Sequence, residues 1–243
     1  MYHKSMRSEF ILIVVTLFFS LSFLSSCLDD DDRTTNEFPS NINISFNIPD
    51  IGQSKFDGQN TLTVERARFA IRSFALKRDE QSNFNLGDGI AFIGFSTADT
   101  EDIAIGSRQI GGAVFTGVLF EITRPENSDQ IQDFDFIVLN ENGELEQAFT
   151  MIIEGTFNGD PFEYKTEGVL EIELDFESFV NLPNTNGGMN IRLLPRTENW
   201  FRDDQSRLLN PSNVTETEEM MINTNVRNSW DLEVEINENT EFL

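Results

Sequence analysis

The strongest constraint on this chain is the period at which its apolar residues recur. Ile42, Ile44, Phe46 and Ile48 alternate with Asn41, Asn43, Ser45 and Asn47, and at the far end Trp230, Leu232, Val234 and Ile236 alternate with Asp231, Glu233 and Glu235. Successive side chains on a strand point to opposite faces, so each run presents one apolar and one polar face. Between them lie further short apolar runs over residues 90–95, 113–123, 133–139, 147–157, 161–166, 169–177 and 189–193. Two Asn-Gly pairs, Asn142-Gly143 and Asn158-Gly159, separate such runs. They favour tight hairpin turns, because both residues tolerate positive φ, and hairpins impose antiparallel pairing.

Many short strands broken by turn residues predict an all-β protein, an antiparallel β-sandwich of immunoglobulin- or transthyretin-like kind. Residues 61–78 fit either period. As strands, Ala67, Phe69, Ile71 and Ala75 face inward and Arg66, Arg68 and Arg72 outward, and a face shift near Ser73 implies a bulge. In residues 113–123, Val114, Thr116, Val118, Phe120 and Ile122 share one face and Phe115 and Leu119 the other, which predicts a central strand covered on both sides. Residues 169–177 set Leu170, Ile172, Leu174 and Phe176 against Glu171, Glu173, Asp175 and Glu177, a carboxylate face that basic strand residues, a cation or solvent must answer. One or two short helices are expected near the C-terminal end. One lies close to Trp200; the other covers residues 216–228 behind a Thr215/Glu218 capping box, with Met220, Met221 and Val226 packing inward. A helical turn is expected over residues 179–182.

Composition removes whole classes of chemistry. The chain holds 42 acidic and 17 basic residues, for a net charge of −25, which argues against nucleic acid as a partner, since phosphate binding needs clustered Lys and Arg. Its one histidine is His3 and its one cysteine Cys27. Both lie at the N-terminus, so the body of the chain has neither the residues for Ser-His-Asp or Cys-His catalysis nor His or thiolate ligands for zinc, copper or haem. Carboxylate chemistry and oxygen-ligated calcium remain open, and no intrachain disulfide can form.

That N-terminus has the layout of a signal peptide: Lys4 and Arg7, an apolar run from Phe10 to Leu24, then small residues. The run is shorter than the roughly 20 residues needed to span a bilayer. Leu24, Ser25, Ser26 and Cys27 resemble a bacterial lipobox, and Asp29, Asp30, Asp31 and Asp32 resemble the lipoprotein export signal of Bacteroidota. The resemblance covers only the first 32 residues. It implies cleavage after residue 26, lipidation of Cys27, an acidic tether over residues 27–40, a single domain over 41–243, and an outer-membrane anchor facing the cell exterior. The membrane, through the lipid, would then be the first partner, and an outer-membrane protein a possible second.

Site candidates in the body are few. Arg66, Arg68, Arg72, Lys77 and Arg78 concentrate basic charge in one segment, either as an anion-binding stripe or as cross-strand partners for carboxylates. Trp200, in a polar insertion, is the aromatic residue placed to stack a glycan, or alternatively a packed loop anchor. Asp203 and Asp204, with Asn210 and Asn213, offer clustered oxygens for calcium as a cofactor; no EF-hand spacing is present. The expected function is a non-catalytic binding module for a glycan, peptide or other ligand. The alternatives are a structural adhesin or subunit of a surface assembly and, third, a carboxylate-based hydrolase. A sheet edge open to strand addition would favour the assembly; a concave site around Trp200 would favour the module.

Overall fold

The computed structural model describes residues 40–78, 82–87, 89–182 and 187–237, so the lipobox, the acidic run and most of the tether lie outside the described residues. In chain order the strands are β1 (Ser40–Phe46), β2 (Ser54–Phe56), β3 (Thr61–Arg78), β4 (Phe84–Gly87), β5 (Ala91–Ser96), β6 (Ile103–Ile110) and β7 (Ala113–Ile122). They continue with β8 (Ile137–Leu139), β9 (Leu145–Ala148), β10 (Met151–Phe157), β11 (Asp160–Thr166), β12 (Leu170–Leu182), β13 (Gly188–Pro195) and β14 (Trp230–Asn237). Among the described residues one α-helix, α1 (Glu216–Arg227), precedes β14, and short 3-10 turns occupy Phe134–Phe136 and Thr197–Asn199.

Two sheets form the sandwich. A four-stranded sheet runs β14-β13-β1-β6, and an eight-stranded sheet runs β11-β10-β3-β7-β12 with β2, β4 and β5 also paired to β3. The all-β sandwich expectation is met, with one exception to antiparallel pairing among the described residues: β1 runs parallel to β13. Parallel neighbours need a crossover rather than a hairpin, and here almost the whole chain forms that crossover. The sheets meet through aromatic residues of the alternating runs. Phe46 lies 5.9 Å from Phe69, and Trp230 lies 5.5 Å from Phe69 and 5.0 Å from Phe120, ring centre to ring centre. These are edge-on contacts, which aromatic quadrupoles favour over face-to-face sandwiches.

Strand β3 is the spine of the larger sheet. It remains a strand for 18 residues by taking a bulge where the face shift was expected: Ser73 adopts φ 58° and the register to β7 shifts between Arg72 and Ala75. Both faces of its middle are buried. The inner face packs into the sandwich; on the outer face Ala70 joins Ile152, Phe136 and Phe149 in a second small core. The cover comes from the segment that carries the 3-10 turn and the β8–β9 hairpin.

Several local expectations are corrected. Residues 133–139 are a 3-10 turn followed by β8 rather than one strand, and 147–157 divides into β9 and β10 around Phe149 and Thr150. Residues 179–182 continue β12 instead of turning helical. Phe115 is fully buried and Val114 exposed, the reverse of the simple alternation, because the registers of β7 to β12 and to β3 shift nearby and rotate the strand end by one face. Helix α1 starts at the expected capping box, with Thr215 Oγ1 accepting from Glu218 N and Glu218 Oε2 accepting from Thr215 N. It buries Ile222 and Val226, however, while Met220 faces solvent.

Candidate functional site

The arginines of β3 separate by depth. Arg68 is only 5% exposed: its Nη1 donates to Asp133 (2.8 Å) and Asp135 (2.7 Å), and its Nη2 to Glu154 (2.9 Å). Asp133 also caps the 3-10 turn by accepting from Asp135 N, so the guanidinium and the turn hold each other in place. That guanidinium holds the Asp135 carboxyl below the usual carboxylate range. Arg72 donates to Asp129 at 2.6 Å, and Arg66 approaches Glu154 at 3.6 Å. On the carboxylate face of β12, Lys77 pairs with Glu173 and Asp175. Basic residues of β3 thus answer acids of neighbouring segments, and the anion-binding stripe at Arg66, Arg68 and Arg72 is corrected to an internal ion-pair network.

Trp200 is also corrected as a ligand platform. It is fully buried, stands 6.0 Å from Phe69 in an edge-on contact, and donates its indole N–H to Ser229 Oγ at 2.7 Å. The 3-10 turn before it is pinned by Thr197, whose backbone N–H and hydroxyl both donate to Asp50, while the buried Lys55 ammonium donates to Thr197 Oγ1 at 2.6 Å. The insertion is a core anchor.

Asp203 is engaged as well, accepting from Arg207 Nε (2.7 Å) and from the backbone N–H of Gln205 and Arg207 (both 2.9 Å). Asp204 is exposed, and among the described residues no group of three or more acidic, His or Cys side chains is arranged to hold a metal ion. The calcium cluster expected at Asp203 and Asp204 is therefore not assembled there, because Asp203 closes its own turn with Arg207. Cys27 and Asp29 to Asp32 lie outside the described residues.

The structure brings together a different set. Each sandwich edge leaves a lateral seam between the sheets, and at the seam between β4, β5 and β6 there is a pocket of 150 Å³. Ile44, Ile71, Phe74, Leu86 and Ile105 give it an apolar wall, and Arg72 and Arg108 lie on its lining. Gly87, Gly89 and Gly106 also line it, and a Cβ added at any of the three would meet nothing within 4 Å. Beside the pocket, the Arg108 guanidinium sits 5.1 Å from the centre of the Phe84 ring and the Arg78 guanidinium 5.0 Å from the same ring. Arg78 also lies 5.8 Å from the Phe115 ring, and its Nε is buried without a hydrogen-bond partner among the described residues.

Two guanidiniums on one aromatic ring repel each other, and each cation–π contact returns only about 0.5–2 kcal/mol. Arg108 donates to the Asn85 carbonyl at 2.6 Å, but neither arginine has a carboxylate within 4 Å among the described residues. In a chain of net charge −25, Arg66, Arg68, Arg72, Arg124, Arg192, Arg196 and Arg207 have acidic partners, whereas Arg78 and Arg108, like Arg202 and Arg227, have none within 4 Å among the described residues; only Arg78 and Arg108 share one aromatic ring beside a pocket. The arrangement can take an anion at the ring and an apolar group in the pocket.

This site was only partly visible beforehand. Arg78 belongs to the basic segment already singled out, but β6, which supplies Ile105 and Arg108, was not expected as a strand. Ile103 and Ile105 alternate, then Gly106 and Ser107 break the pattern where β6 shifts register against β1.

No protein-family model matches the chain, and no curated protein matches it significantly. Among solved structures the chain is matched to MbnP from Methylosinus trichosporium, at 9% identity and a TM-score of 0.38, over 65% of this chain and 76% of that one.

Proposed function

We propose that the mature chain is a lipid-anchored module, displayed on the outer face of the outer membrane, that acts by binding rather than by catalysis. The lipobox-like Leu24 to Cys27 and the run Asp29 to Asp32 support the anchor and its orientation. The observation that carries the binding reading is the pocket beside Arg78, Phe84 and Arg108, an apolar wall next to two guanidiniums without acidic partners. A cavity of about 150 Å³ holds a benzene-sized group. The ligand class is therefore an anion, a carboxylate, sulfate or phosphate, bearing one such apolar group.

The anchor is tested by replacing Cys27 with Ser in the native host: incorporation of labelled fatty acid should disappear and the protein should leave the membrane fraction. Labelling that persists would refute it. Binding is tested by titrating the purified chain with phenylacetate and phenyl phosphate against benzyl alcohol and acetate. The two aromatic anions should raise the melting temperature. Arg108→Ser should weaken them about tenfold, and Gly106→Leu, which adds bulk on the lining at a position where a Cβ meets nothing, should abolish the effect. Equal stabilisation by benzyl alcohol, or none by any probe, would remove the pocket as the binding site.

A further inference from the structure

The opposite lateral seam has the reverse electrostatics and a different vacancy. Strand β14 ends the four-stranded sheet, pairing with β13 on one side and with no backbone on the other among the described residues. Next to it β12 ends the eight-stranded sheet, and the two edges enclose a groove of 330 Å³ without sharing a ladder. Phe176 and Val180 line it from one sheet, Leu232, Val234 and Ile236 from the other. Along β14 the inward row grows steadily less covered, from Trp230 at 5% exposed to Ile236 at 44%. The sandwich is thus unfinished at this corner: its inner apolar row continues past the last strand that could cover it.

The outward row of the same strand is Asp231, Glu233 and Glu235. Asp231 and Glu233 pair with Arg196 and Arg192 on the β13 side, whereas Glu235, and Glu177 on the groove rim, have no basic side chain within 4 Å among the described residues. A strand laid against β14 must obey its pleat. Its inward residues would drop into the groove against Val234 and Ile236, and its outward residues would stand beside the carboxylates, where opposite charges stabilise a cross-strand pair and like charges oppose it.

We propose that the outer edge of β14 receives an extended segment of a partner protein in which apolar and basic residues alternate, completing the sandwich by strand addition. A second copy of this chain is disfavoured as the occupant, since β14 against β14 would set acid beside acid, the usual device by which edge strands avoid pairing with themselves. The proposal is independent of the pocket, which lies at the other edge of the four-stranded sheet.

The test uses the purified full chain and two labelled peptides of about eight residues, the length of β14. One alternates valine and lysine; the other has the same composition with the valines and lysines in separate blocks. The alternating peptide should bind about tenfold more tightly by fluorescence anisotropy and should slow amide hydrogen exchange across Trp230 to Asn237. Glu177→Lys combined with Glu235→Lys, two exposed changes that leave the melting temperature in place, should weaken it by a similar factor. Equal binding of both peptides, no gain of protection in β14, or an unaltered affinity in the charge-reversed variant would overturn the proposal. So would self-association of the chain that protects β14 and excludes the peptide.

Discussion

Replacing Arg68 should destabilise this protein far more than replacing Arg66, two positions away on the same strand face. The Arg68 side chain is 6% exposed and bridges three carboxylates. Removing one partner of a buried ion pair costs about 3–5 kcal/mol, because the remaining charge is left without compensation. Asp133, Asp135 and Glu154 all reach some solvent, so Arg68→Ser should fall at the lower end, about 3 kcal/mol. Loss of the contact between its guanidinium and the Phe136 ring, at 5.9 Å, acts in the same direction and loosens the 3-10 turn over the second core. In a domain of this size that corresponds to a fall in melting temperature of about 6–12 °C. Arg66→Ser breaks only a half-exposed pair at 3.6 Å and should cost less than about 1 kcal/mol. Urea unfolding of both variants gives the comparison, with midpoints shifting at constant slope. Arg68→Met tests the cause: it restores apolar contact but not charge, and should remain close to Arg68→Ser. Equal effects at positions 66 and 68, or full rescue by Met, would show that packing rather than the ion-pair network holds the cover on β3.

Three further outcomes are expected. Gly155→Ala should cost about 3 kcal/mol, since an added Cβ would collide with the Thr63 carbonyl oxygen on the adjoining strand at a bulge, a clash with backbone rather than with a movable side chain; a thermal melt checks it. Thr215→Ala should lose about 1 kcal/mol by removing the α1 cap, visible as earlier loss of helical signal in denaturant. The Asp57 carboxylate accepts backbone N–H bonds from Asn60, Leu208 and Gln59, which hold it well below the usual carboxylate range. Its contribution is therefore complete above the unfolded-state value of about 4 and is lost as pH falls through the lower folded value. Asp57→Asn should flatten the acid limb of stability against pH below about pH 4, and an unchanged limb would place the acid sensitivity elsewhere.

What could be read in the sequence was whatever depends on neighbours along the chain. The alternation at Ile42 to Ile48 and from Trp230 onward, the Asn158-Gly159 turn with both residues at positive φ, the bulge at Ser73 and the Thr215/Glu218 box all appear in place. What escaped depends on segments remote in sequence. Arg68 reads as outward-facing on its own strand, and it does point to the outer face; it is covered there by Phe136 and the carboxylates of Asp133 and Asp135, far downstream. Trp200 reads as an exposed aromatic in polar surroundings until Lys55, Asp50 and Ser229 are seen to fix the turn that drives it into the core. Strand β6 was hidden by its own register shift, and with it went the arginine that completes the pocket. The candidate site is the part least legible from sequence, because it is made where two sheet edges fail to meet.

The parallel pairing of β1 with β13 also fixes an order of events. Asn43 and Asn190, hydrogen-bonded side chain to side chain across that ladder, are 147 positions apart, so closing the smaller sheet brings together segments far apart in the polypeptide, a step with a loop-closure penalty. The hairpins β8–β9 and β10–β11, formed from adjacent residues, can assemble long before. A chain emerging from its N-terminus must therefore hold β1, the first of the described strands, without its parallel neighbour until residues 188–195 arrive. The row of Asn41, Asn43, Ser45 and Asn47 gives that waiting strand one face that tolerates water. The last strands to appear are those that lock the first one in place.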